Sequence, residues 1–238
     1  MGIVAKDLLI NKQNLSDLGV YVTSKNVYNA PKRDIEEVTV LGRNGTLTID
    51  HGRYKNVSVG YPSVIVDNCT QNVEALRNYI QTLRGYNRIE DTFNPDEYRM
   101  GKIPNDFTVD PKVYDNAATF EMVLDCMPQR FLKSGEHVVT FTSSGGIIRN
   151  PSLCESKPLI TAYGTGTLTI NGQTITVNSA NVYTTIDCEM QNCYKGSTNC
   201  NGNVTMTTGE FFTLASGNNT VTFTGFSKIE IVPKWWIL

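Results

Sequence analysis

The two histidines, His51 and His137, are the only imidazoles in the chain, and neither stands in a serine, cysteine or metal motif. Both read as surface or packing residues. Cys188, Cys193 and Cys200 come closest to a ligand cluster, with the spacing C-x4-C-x6-C. Zinc sites usually start from a tighter cysteine pair and need further partners, and no histidine lies nearby to complete a set. These three, with Cys69, Cys126 and Cys154, are expected to be buried or loop thiols, and no metal is expected. Adjacent acids occur at Glu36-Glu37, Glu90-Asp91 and Asp96-Glu97. A glycosidase needs two carboxylates about 5–9 Å apart in a cleft, whereas neighbouring acids on polar segments are ordinarily solvated. "GRNG" and "SSGG" carry glycines without the lysine of a phosphate loop and read as turns. The residue types therefore point to a protein that is not an enzyme and has no cofactor. Sugar binding is the one chemistry that exposed aromatics on a β scaffold supply readily, with Tyr163, Tyr183, Tyr194 and the Trp235-Trp236 pair available to stack on rings.

The net charge of −2 provides no basic field to hold phosphates, so nucleic-acid binding is not the expected task. No stretch approaches the length of apolar residues that a membrane span needs, and the start of the chain lacks the apolar core of a secretory signal. It begins Met-Gly, but Lys6 stands where an acylation motif wants serine or threonine. The expectation is a soluble protein made in a cytoplasm, with no membrane contact and with its cysteines reduced. The N-x-S/T triplets at Asn56, Asn68, Asn203 and Asn218 mean little without secretion.

The elements that must position these residues are mostly strands. "TLTID" (46–50) and "VSVGY" (57–61) alternate apolar and polar residues, and "HGRYKN" between them reads as the turn of a hairpin with His51 in it. In "TQNVEALRNYIQTLRG", Val73, Leu76, Tyr79, Ile80 and Leu83 recur at helical spacing. Thr70 or Asn72 is available as a cap, and Gly85 as a stop. "NPDEYRMGKIPNDFTVDPK" holds three prolines and no period, and reads as a long irregular connection. "ATFEMVLDCM" resumes alternation through Phe120, Met122, Leu124 and Cys126. After "PQRFLKSGE" only short strands separated by Gly and Asn turns appear. The clearest is the hairpin "TLTINGQTITV", in which Asn171-Gly172 favours a type I′ turn. The fold class expected is mainly β. An α+β domain with one amphipathic helix occupies residues 1–133, and an antiparallel β-sandwich occupies 134–238.

Taken in order, several segments resemble the distal tail proteins of long-tailed phages (siphoviruses) that infect Gram-positive bacteria. They are "VLGRNGTLTIDHGRYKNVSVGYP", the helix, "FEMVLDCMPQRFLKSGE", "NPSLCESKPLITAYGTGTLTINGQ", "YTTIDCEMQNCYKG", "FFTLASGNNTVTFTG" and the terminal "PKWWIL". The resemblance covers nearly the whole chain. It implies a homohexameric ring at the tip of the tail, assembled in the bacterial host cytoplasm and carried in the virion. The ring joins the major tail-tube protein to the tail-associated hub or lysin protein, and its channel passes DNA during ejection. In such proteins the N-terminal domain is related to tail-tube folds and forms the ring. The C-terminal domain is galectin-like and in some phages docks a receptor-binding protein. The alternative is an adhesin module whose sandwich binds host cell-wall polysaccharide; a galectin-like fold does not by itself bring sugar binding.

Cyclic rings use head-to-tail interfaces. The patches expected to meet a neighbour are the 43–56 hairpin (Arg43, Asn44, His51, Arg53, Tyr54) and the 92–112 loop (Phe93, Tyr98, Phe107). Trp235 and Trp236 close the chain, where ends usually fray. They are expected to act as a clamp, one ring packed back on the protein and the other nearer the surface or a neighbour.

Overall fold

The computed structural model describes residues 7–25, 30–103, 107–180 and 182–238, which form a mainly β chain with a single α-helix among them. The chain divides into two compact units, one up to Arg130 that also takes Leu238, the other from Phe131 to Ile237. Among the described residues no helix is long and apolar enough to cross a membrane.

The first unit is built on a sheet in the order Gln13–Asn14, Leu8–Ile10, Asn87–Asp91, Glu97–Lys102, Ala117–Leu132, Val57–Val66 and Val20–Val22. Val57–Val66 and the strand from Ala117 pair antiparallel without a break, from Cys126 opposite Val57 to Ala117 opposite Val66. The two-residue period of a strand puts Val57, Val59, Tyr61 and Ile65 on one buried face, joined there by Ala118, Phe120, Met122, Leu124 and Cys126. Burying each of the larger of these side chains contributes roughly 1.5–3 kcal/mol.

The helix, Cys69–Thr82, lays Leu76 and Ile80 on that core with Val73, Tyr79 and Leu83 at its margin. Its start is not capped by Thr70 or Asn72. Asn68 holds the N-cap position with φ 46° and makes no side-chain cap bond. The orphan amides are met by Asp115 instead: Cys69 N–H donates to its carbonyl at 3.1 Å and Thr70 N–H to its Oδ1 at 2.8 Å. That backbone bond from Thr70 holds the Asp115 carboxyl below the usual carboxylate range. Asp115→Ala is expected to lower the melting temperature by a few degrees and to speed amide exchange at Cys69 and Thr70 while leaving the sandwich unchanged.

Two sequence expectations need correction here. The segments 46–50 and 57–61 do not pair with each other. Thr46–Tyr54 is one strand running straight through His51, and its partner is Arg33–Thr39, with Val38 opposite Leu47 and Glu36 opposite Ile49. Gly52, at φ 70°, accommodates the irregularity in this ladder between Arg33 and Ile35 rather than a chain reversal, and its N–H donates to Asp50 Oδ1 at 2.8 Å. The reversal lies at 40–45 instead, where Gly42 and Gly45 take positive φ. The 94–112 stretch is likewise not wholly irregular. It contains the strands Glu97–Lys102 and Asp110–Val113, with residues 104–106 outside the described set. Glu97–Lys102 is half-buried along most of its length, so it shows no two-residue alternation. Pro111 is tolerated because its short strand pairs only with the Ala117–Thr119 edge.

The second unit is organised by two long antiparallel strands, Leu159–Ile170 and Gly217–Val232. Each changes its outer neighbour halfway along. Leu159–Tyr163 is flanked by Tyr183–Asp187, and Thr167–Ile170 by Gln173–Val177. Val139–Phe141 flanks the end of the last long strand, and Gly146–Asn150 its beginning. The ladder shifts register at Tyr163, Gly164 and Thr167, and bulges of this kind bend a sheet. The curled halves share one core, with Ile160, Ala162, Ile229 and Ile231 from one and Leu168, Ile170, Ile175 and Val221 from the other. The hairpin at Asn171-Gly172 forms as expected, both residues at positive φ and Leu168 directly opposite Ile175. Asn171 Nδ2 donates to the fully buried Asn219 Oδ1 at 2.6 Å, and Asn219 Nδ2 in turn reaches the carbonyls of Ile148, Ala215 and Gly217.

Candidate interaction site

The hairpin Arg33–Thr39/Thr46–Tyr54 forms a two-stranded sheet of its own, and nearly all of it is exposed. A lone two-stranded hairpin is marginally stable in water. Ion pairs brace its base: Arg33 Nε to Asp50 at 2.7 Å, Arg53 Nε to Asp34 at 2.7 Å, and Lys55 Nζ to Asp34 at 3.3 Å. The guanidinium of Arg33 also lies 5.4 Å from the centre of the Tyr54 ring. The Arg53 bond is the main reason that the Asp34 carboxyl sits below its ordinary range. Solvent-exposed pairs of this kind add little each, and among the described residues no hairpin side chain joins either buried core cluster.

What the hairpin does present is apolar. Leu41 at its tip is fully exposed, and Val40, Leu47 and Ile49 are exposed beside it, with Val38 half-covered opposite Leu47. Arg43 and Asn44 sit in the same tip, and His51 lies 3.8 Å from Glu36 on the strand. Leu47 and Ile49 alternate like core residues, and only the pairing partner shows that their face is left uncovered. The tip residues Val40 and Leu41 had no signal beyond being apolar beside a turn.

The three aromatics of the 92–112 segment are engaged within their own unit. Phe93 and Phe107 pack against the core, Phe107 with its ring centre 5.5 Å from that of Phe120. Tyr98 lies under the Arg88 guanidinium at 3.6 Å.

At the C-terminus the last long strand ends at Val232, and Pro233 follows it. Lys234 turns the chain at φ 55° and donates its N–H to Gly135 O at 2.8 Å, while Leu132 N–H donates to Trp235 O at 2.9 Å. Trp235 is buried in the sandwich core, and Trp236 stays half-exposed with its Nε1–H donated to Glu155 O at 2.8 Å. A Cβ on Gly135 would come 2.2 Å from the Trp235 backbone nitrogen, so the "KSGE" turn needs glycine to admit the tail. Trp235→Ala is expected to cost about 3–5 kcal/mol, read as a lower melting temperature, and deleting 234–238 should do the same. An unchanged melt would make the tail a free sticky end.

On the sandwich, Tyr163 stands directly opposite Tyr183 with ring centres 5.8 Å apart. Each ring already carries an ammonium, Lys228 at 4.1 Å from Tyr163 and Lys195 at 5.4 Å from Tyr183. The Tyr163 hydroxyl donates to Glu230 at 2.9 Å. Tyr194 lies on the next strand, opposite Thr185. The acid pairs are largely matched by cations: Glu90 bonds Arg88, Asp91 bonds Lys25, and Glu97 bonds Arg130. His137 is exposed. All six cysteines are free thiols, and among the described residues no group of three or more His, Cys, Asp or Glu is placed to hold a metal ion.

No family model matches the chain, and no curated protein matches it in sequence. Its fold is shared with solved structures from phage adsorption and baseplate assemblies. The crystal structure of the Dit protein of phage SPP1, described as a paradigm of the hub adsorption apparatus of phages infecting Gram-positive bacteria, superposes with a TM-score of 0.77 at 13% identity. The match covers 98% of this chain and 99% of that one. Structures of the phage P2 baseplate in its activated conformation, with calcium and with strontium, match at TM-scores of 0.53 and 0.52. Both are 10% identical, covering 96% and 97% of this chain and 97% of theirs.

Proposed function

We propose that this chain is a structural hub of a phage tail tip, a distal tail protein. Six copies form a ring that joins the tail tube to the hub protein beneath it and leaves a channel for DNA. The observation that carries this reading is a fold shared from end to end, over 98% of this chain and 99% of an adsorption-hub protein. The ordered motifs along the sequence support it independently. In the ring, the first unit is the tube-like, ring-forming part, and the second is a galectin-like sandwich available to other tail components.

The hairpin is the surface that meets the next copy. An exposed hairpin with Leu41, Leu47 and Ile49 uncovered gains most by lying on a partner, and head-to-tail rings offer one complementary patch per neighbour. The net charge of −2 suits a conduit that must pass DNA without holding it. Leu47→Asp/Ile49→Asp should abolish ring formation on native mass spectrometry while leaving the melt of the sandwich unchanged. Rings that persist in this variant would remove the hairpin from the interface. The sugar-binding alternative is weakened by the lysines already seated over Tyr163 and Tyr183.

A further inference from the structure

The hairpin Asn192–Lys195/Thr198–Asn199 pairs Lys195 with Thr198 and Tyr194 with Asn199, and Cys193 and Cys200 are the next residues beyond the last paired rung. The Cys200 N–H donates to the Cys193 carbonyl at 2.8 Å and holds the two residues side by side. Asn201 braces them from the side, its Oδ1 accepting from Cys193 N–H at 2.6 Å and its Nδ2 donating to Asn192 Oδ1 at 2.9 Å. Facing residues of an antiparallel hairpin have Cα atoms about 4.5–5.5 Å apart. That separation lies inside the range of about 4.4–6.8 Å that a disulfide spans. Both side chains join the sandwich core, Cys193 fully buried and Cys200 half-buried at its margin. Cys188, also buried, is the third thiol of the group.

We propose that Cys193 and Cys200 are a thiol pair that closes to a cross-strand disulfide when the folded protein meets a disulfide oxidant such as oxidised glutathione. Burial pushes the Cys193 thiol up to about 11, with the nearby Cys200 adding to the effect. Cys200 is half-exposed where Cys193 is fully buried, so Cys200 is the thiol that an oxidant in solution reaches first. Its sulfur takes one glutathione sulfur, the glutathione S–S bond breaks, and one glutathione leaves as thiol. Cys193 gives its proton to solvent and attacks the Cys200 sulfur of the mixed disulfide, releasing the second glutathione. The two cysteines lose two electrons and two protons, and one oxidised glutathione becomes two thiols. The bond would fasten the Asn192–Asn203 segment at the sheet edge without moving its strands.

The test is to incubate the native protein with oxidised glutathione, block the remaining thiols with an alkylating agent in denaturant, and measure intact mass and linked peptides. Two alkyl groups fewer per chain than in the reduced protein, with the loss of two hydrogens, a peptide joining residues 193 and 200, and reversal by excess reductant are expected. Cys200→Ser should abolish the link and Cys188→Ser should keep it. The proposal is overturned if both thiols remain alkylatable, if the mixed disulfide at Cys200 persists with Cys193 free, or if Cys193 joins Cys188. None of these outcomes bears on ring formation.

Discussion

Gly225→Ala is expected to lower the melting temperature of the sandwich by about 10–20 °C, because the two long strands meet there without room for a side chain. A Cβ on Gly225 would lie 2.5 Å from Thr165 O, and one on Gly166 would lie 2.0 Å from Thr224 O. Both contacts are with backbone, which cannot swing aside as a side-chain tip can. Gly225 also sits at φ 82°, where an L side chain is strained. Overpacking and backbone strain each cost about 1–3 kcal/mol, so together they reach about 2–6 kcal/mol. Gly172→Ala separates the two causes. Gly172 has φ 85° but nothing within reach of a new Cβ, so its loss should cost only the conformational part, about 1 kcal/mol. Equal effects at the two glycines would show that the close approach of the strands is unimportant. Gly166→Ala, which adds a clash at a position whose φ is not positive, should fall with Gly225→Ala.

Asp91→Asn is the second large effect, and it falls on the first unit. Asp91 Oδ2 accepts from Lys25 Nζ at 2.6 Å and from the buried Tyr61 hydroxyl at 2.7 Å, and its Oδ1 accepts from the Phe93 and Asn94 amides. Burial raises the Asp91 pKa, but the bonds from Lys25 and Tyr61 outweigh it and the net shift is downward. The Tyr61 hydroxyl is driven up in turn, by burial first and the Asp91 charge second. Removing one partner of a buried pair leaves the other charge uncompensated and costs about 3–5 kcal/mol. Replacing both by apolar residues, Lys25→Met with Asp91→Leu, should recover much of that loss. A double variant no more stable than Asp91→Asn would mean that the cluster acts through its hydrogen bonds alone.

The same group sets an acid limit. Its folded-state pKa lies below the unfolded carboxylate value of about 3.9, so its stabilisation is present above that pH and lost as pH falls through the lower, folded value. Acid unfolding of the first unit should therefore flatten in Asp91→Asn below about pH 4. Tryptophan emission will not report it, since both tryptophans lie in the second unit, so tyrosine emission or amide exchange in residues 57–66 is the readout.

What was legible in the sequence was local. The Asn171-Gly172 hairpin, the helix from Val73 to Leu83 and the alternation of Phe120, Met122, Leu124 and Cys126 depend on residues close in the chain, and each is found. Pairing partners were not legible. Arg33–Thr39 is largely charged and exposed, so nothing marked it as the strand that takes Thr46–Tyr54 away from Val57–Val66. The roles of Asp115 at the helix start and of Gly166 against Thr224 were hidden for the same reason, since each is defined by a segment distant in sequence. The proposed interaction surface was half visible. Arg43, Asn44 and His51 lie on the exposed hairpin as a group, but the apolar residues between them looked like core until their partner strand was known.

The central claim is a six-membered ring at a tail tip. Negative-stain microscopy of the purified protein, alone and mixed with candidate tail-tube and hub proteins of the same phage, tests that claim most directly. Six-fold rings with an open centre, bound face to face with the tube protein, are the predicted result. A particle that stays monomeric at every concentration and binds neither protein would contradict it.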